Sequence, residues 1–171
     1  QIQNAGTAIA ALRVLGFDET ACEGAMRDVT WPARMKRLKH GPLVEAAPDA
    51  ELWLDGGHNP HAALALAAPL KDLPQRETHL ICGMLNTKDV TGFMAPLAAF
   101  ATALHAVSIE GQAATLSAEE TMAAAAKAGI PAQSAPNVIQ ALRAICDSTP
   151  QARVLICGSL YLAGEILKEN G

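Results

Sequence analysis

"ELWLDGGHNPHAALALA", residues 51–67, begins as a buried strand and ends as a helix. Leu52, Trp53 and Leu54 follow one another without a polar interruption, the pattern of a strand covered on both faces. Asn59 and Pro60 read as a helix N-cap and first helical residue, because asparagine accepts from an orphan amide and proline has no amide to leave unpaired. Gly56 and Gly57 permit a tight turn and clear side chains from the path of a ligand. Asp55 and His58 are left unexplained by packing. They stand at the carboxyl end of a strand, where open α/β sheets bind their ligands and where a ribose hydroxyl or a phosphate-bearing ligand would meet them.

Working outward, the same alternation repeats. A helix over 60–73 leads to a strand over 78–84, a helix over 89–100 and a strand over 103–109. Two helices, 118–129 and 137–148, precede a strand over 153–159 and a helix over 160–168. Apolar strands alternating with helices predict an α/β fold, a doubly wound, Rossmann-like, mostly parallel sheet with helices on both faces. "HLICGML" (79–85) and "RVLICGSL" (153–160) echo one another, each running from an apolar strand through Ile-Cys-Gly into a turn. Gly83 and Gly158 then mark sharp turns at strand ends.

Upstream, Ala5, Ala8, Ile9, Leu12 and Leu15 recur at helical spacing before Gly16, and Asp18 opens a second, more polar helix. No strand lies nearby for these helices to cover. Residues 1–30 therefore read as the trailing helices of a preceding domain, 31–50 as a linker or hairpin punctuated by Pro32 and Gly41-Pro42, and 51–171 as the Rossmann-like domain.

The 171 residues are half hydrophobic and carry a formal charge of −4. That suffices for a sizeable core and leaves no basic surface for nucleic acid. "RMKRLKH" (34–40) is the one basic run and reads as a solvated edge strand or loop. No stretch has the apolar length of a membrane helix and no secretory leader is written at the start, which makes a cytoplasmic protein the expectation. Cys22, Cys82, Cys146 and Cys157 show no CxxC spacing and read as reduced thiols.

Several chemistries lack their residues. Asp55, His58 and His61 could be taken as metal ligands, but His58 precedes the helix and His61 lies in its first turn, so no metal site is expected. No Gly-x-Ser-x-Gly supplies a hydrolase nucleophile, and no P-loop is present. Lys88 and Asp89 follow a strand in "GMLNTKDV" (83–90), where they read equally as a solvated lysine with a helix cap or as ligand-binding groups. Ser159, between the last strand and the last helix, can cap that helix or join its amides in holding a carboxylate.

"QNAGTAIAAL" (3–12), "WPAR" (31–34), "LDGGHNPHA" (54–62), "GMLNTKD" (83–89) and "CGSLYLAGEIL" (157–167) occur in an order that resembles the C-terminal part of the bifunctional dihydrofolate synthase/folylpolyglutamate synthases, in the Mur ligase superfamily. The resemblance covers essentially the whole chain. It implies an ATP-dependent amide ligase adding L-glutamate to dihydropteroate or folates through an acyl phosphate, with ATP and Mg²⁺ as cofactors. By matching positions, Asn4, Arg34 and Asp55 would bind ATP at adenine, phosphates and ribose. His58 would act catalytically at the nucleotide end, and Lys88 and Ser159 would hold the incoming glutamate. The partners implied are these small molecules and an intramolecular N-terminal ATPase domain carrying the magnesium ligands, in a monomer. The chain alone is expected to be catalytically silent. A cell-wall Mur-type ligase and a free-standing nucleotide or amino-acid sensor keep the same fold and remain alternatives. Two departures stand out: alanine occupies position 33, where the family pattern has glycine, and about twenty residues separate Arg34 from Asp55.

Overall fold

The computed structural model describes residues 2–170. It divides into two compact units, the first ending at Pro32 and the second starting at Ala33.

The first unit contains helices α1 (Ile2–Val14) and α2 (Glu19–Asp28). Asp18 caps α2 by accepting from the Ala21 amide at 2.8 Å, and Arg13 pairs with Glu19 across the connection. Among its described residues Cys22 alone is buried, while Val14, Leu15, Phe17 and Trp31 are exposed. The helices are specified by propensity and capping rather than by a core of their own.

The second unit is built on a six-stranded sheet. In chain order its elements are β1 (Lys36–Arg37), α3 (Pro42–Ala46), β2 (Glu51–Leu54), α4 (Pro60–Asp72), β3 (Thr78–Cys82), α5 (Val90–Met94) and β4 (Ala103–Ala106). There follow α6 (Ala118–Lys127), β5 (Ala132–Ser134), α7 (Val138–Ser148), β6 (Arg153–Cys157) and α8 (Leu160–Asn170). The strands lie in the order β1-β2-β6-β3-β4-β5, and every neighbouring pair is parallel except β1 with β2. The Ile-Cys-Gly echo acquires a spatial meaning here, since β3 and β6 are neighbours and Cys82 pairs in register with Cys157.

Helices cover both faces. Leu66 and Leu70 of α4, Phe93 of α5 and Ala125 of α6 pack with Leu80, Leu104 and Leu155 on one side. Leu43 of α3, Leu142 and Ile145 of α7, and Leu162 and Ile166 of α8 pack with Leu54, Ile81 and Ile156 on the other. Strands buried on both sides explain the unbroken apolar runs in β3 and β6.

Three elements differ from the sequence reading. β5 falls between the two helices expected over 118–129 and 137–148. At three residues, half-exposed and framed by Pro131 and Pro136, it carries none of the apolar signal of a central strand. The helix expected over 89–100 is a short α5 followed by a 3₁₀ turn, Ala95–Leu97, because Pro96 cannot sustain the α-helical hydrogen bonds. Within the segment expected as linker or hairpin, the basic run forms the edge strand β1 as read, and the unexpected element is α3 between β1 and β2.

Candidate functional site

The sheet changes direction between β2 and β6. These strands are adjacent and parallel, yet the chain leaves β2 into α4 on one face and leaves β6 into α8 on the other. A crevice therefore opens outside their carboxyl ends, the switch point at which doubly wound sheets bind ligands.

Asp55 follows β2 directly and is 5% exposed. Its Oδ1 accepts from the Gly57 amide at 2.7 Å, and its Oδ2 accepts from the Met35 amide at 2.7 Å. The antiparallel pairing of Lys36 with Leu54 delivers Met35 to this position. The distance in sequence between Arg34 and Asp55 thus closes in space. Burial pushes the Asp55 carboxyl above its usual range, and the two amides with the nearby Arg34 charge offset only part of that rise.

Arg34 lies on a bent segment. Ala33 and Met35 on either side both take positive φ, +52° and +41°. For residues with a Cβ this costs about 1 kcal/mol each, so the conformation must be held by its contacts. The Ala33 carbonyl accepts from the Gly56 amide at 2.9 Å, and the Met35 amide is fixed by Asp55. The Arg34 side chain is exposed, with its Nη1 donating back to the Ala33 carbonyl at 3.0 Å.

The two glycines are closely surrounded. A Cβ on Gly56 would collide with the Leu160 side chain and come within 3.2 Å of Arg34 Nη1. One on Gly57 would approach Asp55 Oδ1, Ala62 and Leu66 at 3.0–3.3 Å. Neighbouring side chains fill the space that a Cβ would need at both positions.

His58 is half-buried, with Nδ1 3.1 Å from the Gly56 carbonyl oxygen. A carbonyl only accepts, so in this contact Nδ1 is the donor. Asn59 caps α4 by accepting from the Ala62 amide at 2.9 Å, with Pro60 as first helical residue. His61 is exposed in that first turn.

On the other side of the crevice, Gly158 has φ +103° and its amide donates to the Gly57 carbonyl at 3.0 Å, stitching the end of β6 to the turn after β2. Ser159 is 4% exposed, and its Oγ accepts from the Tyr161 amide at 3.1 Å. Lys88 is exposed on the loop before α5. Asp89 caps that helix through the Gly92 amide, and Pro60 lies against Gly92, so this loop sits beside the start of α4. Asp55, Arg34, His58, Ser159 and the Lys88 loop are gathered along one edge of the sheet. Asn4 belongs to α1 in the first unit.

Sequence reasoning missed the Met35 amide and the Leu160 side chain. A left-handed alanine or methionine has no sequence signature, and Leu160 meets Gly56 only through the pairing of β2 with β6. Among the described residues no three His, Cys, Asp or Glu side chains come together to hold a metal ion. No helix among them is long and apolar enough to cross a membrane.

Comparison with known proteins agrees with this architecture. Residues 34–160 match the Mur ligase, glutamate ligase domain. The dihydrofolate synthase/folylpolyglutamate synthase of Escherichia coli is 30% identical over 169 residues, an alignment that takes in 96% of this chain and 37% of that protein. The structure of E. coli FolC in complex with DHPP and ADP superposes with a TM-score of 0.75 at 28% identity, over 96% of this chain and 38% of that one. A bifunctional folylpolyglutamate synthase/dihydrofolate synthase with Mn, AMPPNP and L-glutamate bound gives a TM-score of 0.75 at 26% identity, over 98% and 39%. The chain spans well under half the length of these relatives.

Proposed function

The chain belongs to the Mur ligase family through its glutamate ligase domain, and from that premise we propose that it forms the C-terminal part of an ATP-dependent ligase joining L-glutamate to dihydropteroate or a folate. The observation that carries the reading is the switch-point crevice, where the Arg34 loop, Asp55 and Ser159 stand on adjacent strand ends in a chain aligned along 96% of its length with such an enzyme.

A carboxylate is a poor electrophile. In the proposed reaction a carboxylate oxygen of the acceptor attacks the γ-phosphorus of ATP, ADP leaves, and an acyl phosphate forms. The amine of glutamate then attacks the acyl carbon, the C–O bond to phosphate breaks, and a proton is released as the amide forms. Arg34, exposed and held in a bent segment, neutralises phosphate charge as it develops. Asp55 fixes that segment, and its remaining lone pairs suit a ribose hydroxyl. His58 supports the nucleotide end through Nε2. Lys88 and Ser159 receive the glutamate carboxylates, and Asn4 the adenine. Magnesium would offset the clustered negative charge in such a reaction; among the described residues no three His, Cys, Asp or Glu side chains come together to hold it.

The larger partner in this proposal is an ATPase domain in the same polypeptide, the whole enzyme acting as a monomer in the cytoplasm. The test uses the complete reading frame containing the chain. Glutamate-dependent ADP release should require dihydropteroate or a folate, and Arg34→Ala should lower kcat/KM about a hundredfold. Turnover with a cell-wall nucleotide acceptor instead, or glutamate-dependent ATP hydrolysis by residues 1–171 alone, would overturn the reading.

A further inference from the structure

The amino ends of the strands, opposite the crevice, border an open pocket of about 330 Å³ between the end of α4 and the residues that follow α5. Its wall is divided by chemistry. Leu70, Leu73 and Phe100 supply an apolar side, and Lys71, Arg76 and Arg153 supply three cations. No Asp or Glu lines it, although Asp72 and Glu77 are sequence neighbours of two of the cations.

Arg153 is 3% exposed, and its Nε donates to Glu51 Oε2 at 3.0 Å while Nη2 donates to the Pro74 carbonyl at 2.9 Å. A guanidinium has five N–H groups, so these bonds leave donor capacity at the cavity. The Glu51 carboxylate is shared by Arg153, Arg37 and Arg76, three cations on one anion. Stabilising the buried Arg153 needs one carboxylate. Arg76 also donates its Nη1 to the Gln151 carbonyl at 2.9 Å, and with the exposed Lys71 these cations stand beside an apolar wall of a size suited to a small ligand.

We propose that this cavity is a second binding site, separate from the crevice, for a small organic anion that joins a phosphate or carboxylate to a single ring or short apolar chain. The anionic group sits between Lys71, Arg76 and Arg153, where a planar guanidinium can bind it in two-pronged fashion. The apolar part lies on Leu70, Leu73 and Phe100.

The test is an amide chemical-shift titration of the full chain with phenyl phosphate, benzoate, inorganic phosphate and benzyl alcohol. Phenyl phosphate or benzoate should shift the Lys71, Arg76 and Phe100 amides saturably, and which of the two binds tighter identifies the anionic group. Inorganic phosphate should bind about tenfold more weakly and benzyl alcohol not at all. Lys71→Ala and Arg76→Ala, both exposed positions, should each weaken binding about tenfold. Absence of saturation with both ring anions up to about 10 mM, or unchanged affinity in both variants, overturns the site.

Discussion

Glu51 and Asp55 bracket the same strand, β2, and the fold treats the two carboxylates in opposite ways. Burial pushes each of them up. At Glu51 the guanidiniums of Arg153, Arg37 and Arg76 outweigh burial and hold the group below its usual range. At Asp55 backbone amides and a more distant Arg34 do not, and the group stays above it. What separates them is depth as well as partner: Asp55 lies deeper than Glu51, and full charges offset burial at Glu51 where peptide dipoles offset only part of it at Asp55. The amino edge of the sheet is consequently a junction of charged groups, while the carboxyl edge keeps a carboxylate whose hydrogen-bond partners are backbone amides and whose nearby arginine is exposed.

The comparison breaks most readily at the amino edge. Glu51→Ala leaves Arg153 buried without its carboxylate, and urea unfolding should show a loss of about 4 kcal/mol. Replacing Arg153 by leucine in the same chain should recover much of it. A loss under about 1 kcal/mol would mean that water or another group compensates Arg153. At the carboxyl edge Asp55→Ala strands the Met35 and Gly57 amides, and the expected cost in the same measurement is smaller, about 2 kcal/mol. If it equals or exceeds the Glu51 effect, the contrast between charged and dipolar partners fails.

The smallest effect is the most discriminating. Glu51, with its folded pKa lowered from 4.5, contributes stability that is present above that value and lost as pH falls through the folded pKa. Asp55, raised from 3.8, contributes stability that is present below that value and lost as pH rises through the folded pKa. Unfolding free energies between about pH 3 and pH 6 should therefore show the advantage of the parent over Glu51→Gln growing with pH, and its advantage over Asp55→Asn shrinking. Slopes of the same sign would remove the distinction.

Much of the site's frame was legible because it is local. Asn59 and Pro60 announce a helix start by the hydrogen-bonding needs of adjacent residues, and Leu52, Trp53 and Leu54 announce a strand, though β2 buries Leu52 and Leu54 and leaves Trp53 only half-buried under Arg37 instead of covering both faces. The Ile-Cys-Gly echo pointed to sharp turns at two strand ends; the strands proved to be neighbours, but of the two glycines only Gly158 takes a positive φ. What escaped depends on distant parts of the chain. Gly56 is small because Leu160 occupies its space, and Met35 grips Asp55 because β1 pairs with β2 in one register. β5 escaped for a different reason, since an edge strand of three residues is specified by its neighbour β4 rather than by its own apolar content.

The left-handed alanine and methionine flanking Arg34 make that segment a cocked spring with Asp55 as its latch. The bend stores strain that ordinary backbone would release, and two hydrogen bonds to the end of β2 keep it from doing so. Loss of the carboxylate's hold on the Met35 amide would remove one of the two hydrogen bonds that keep the bend, which makes Asp55 a mechanical support of the Arg34 segment as well as an electrostatic one.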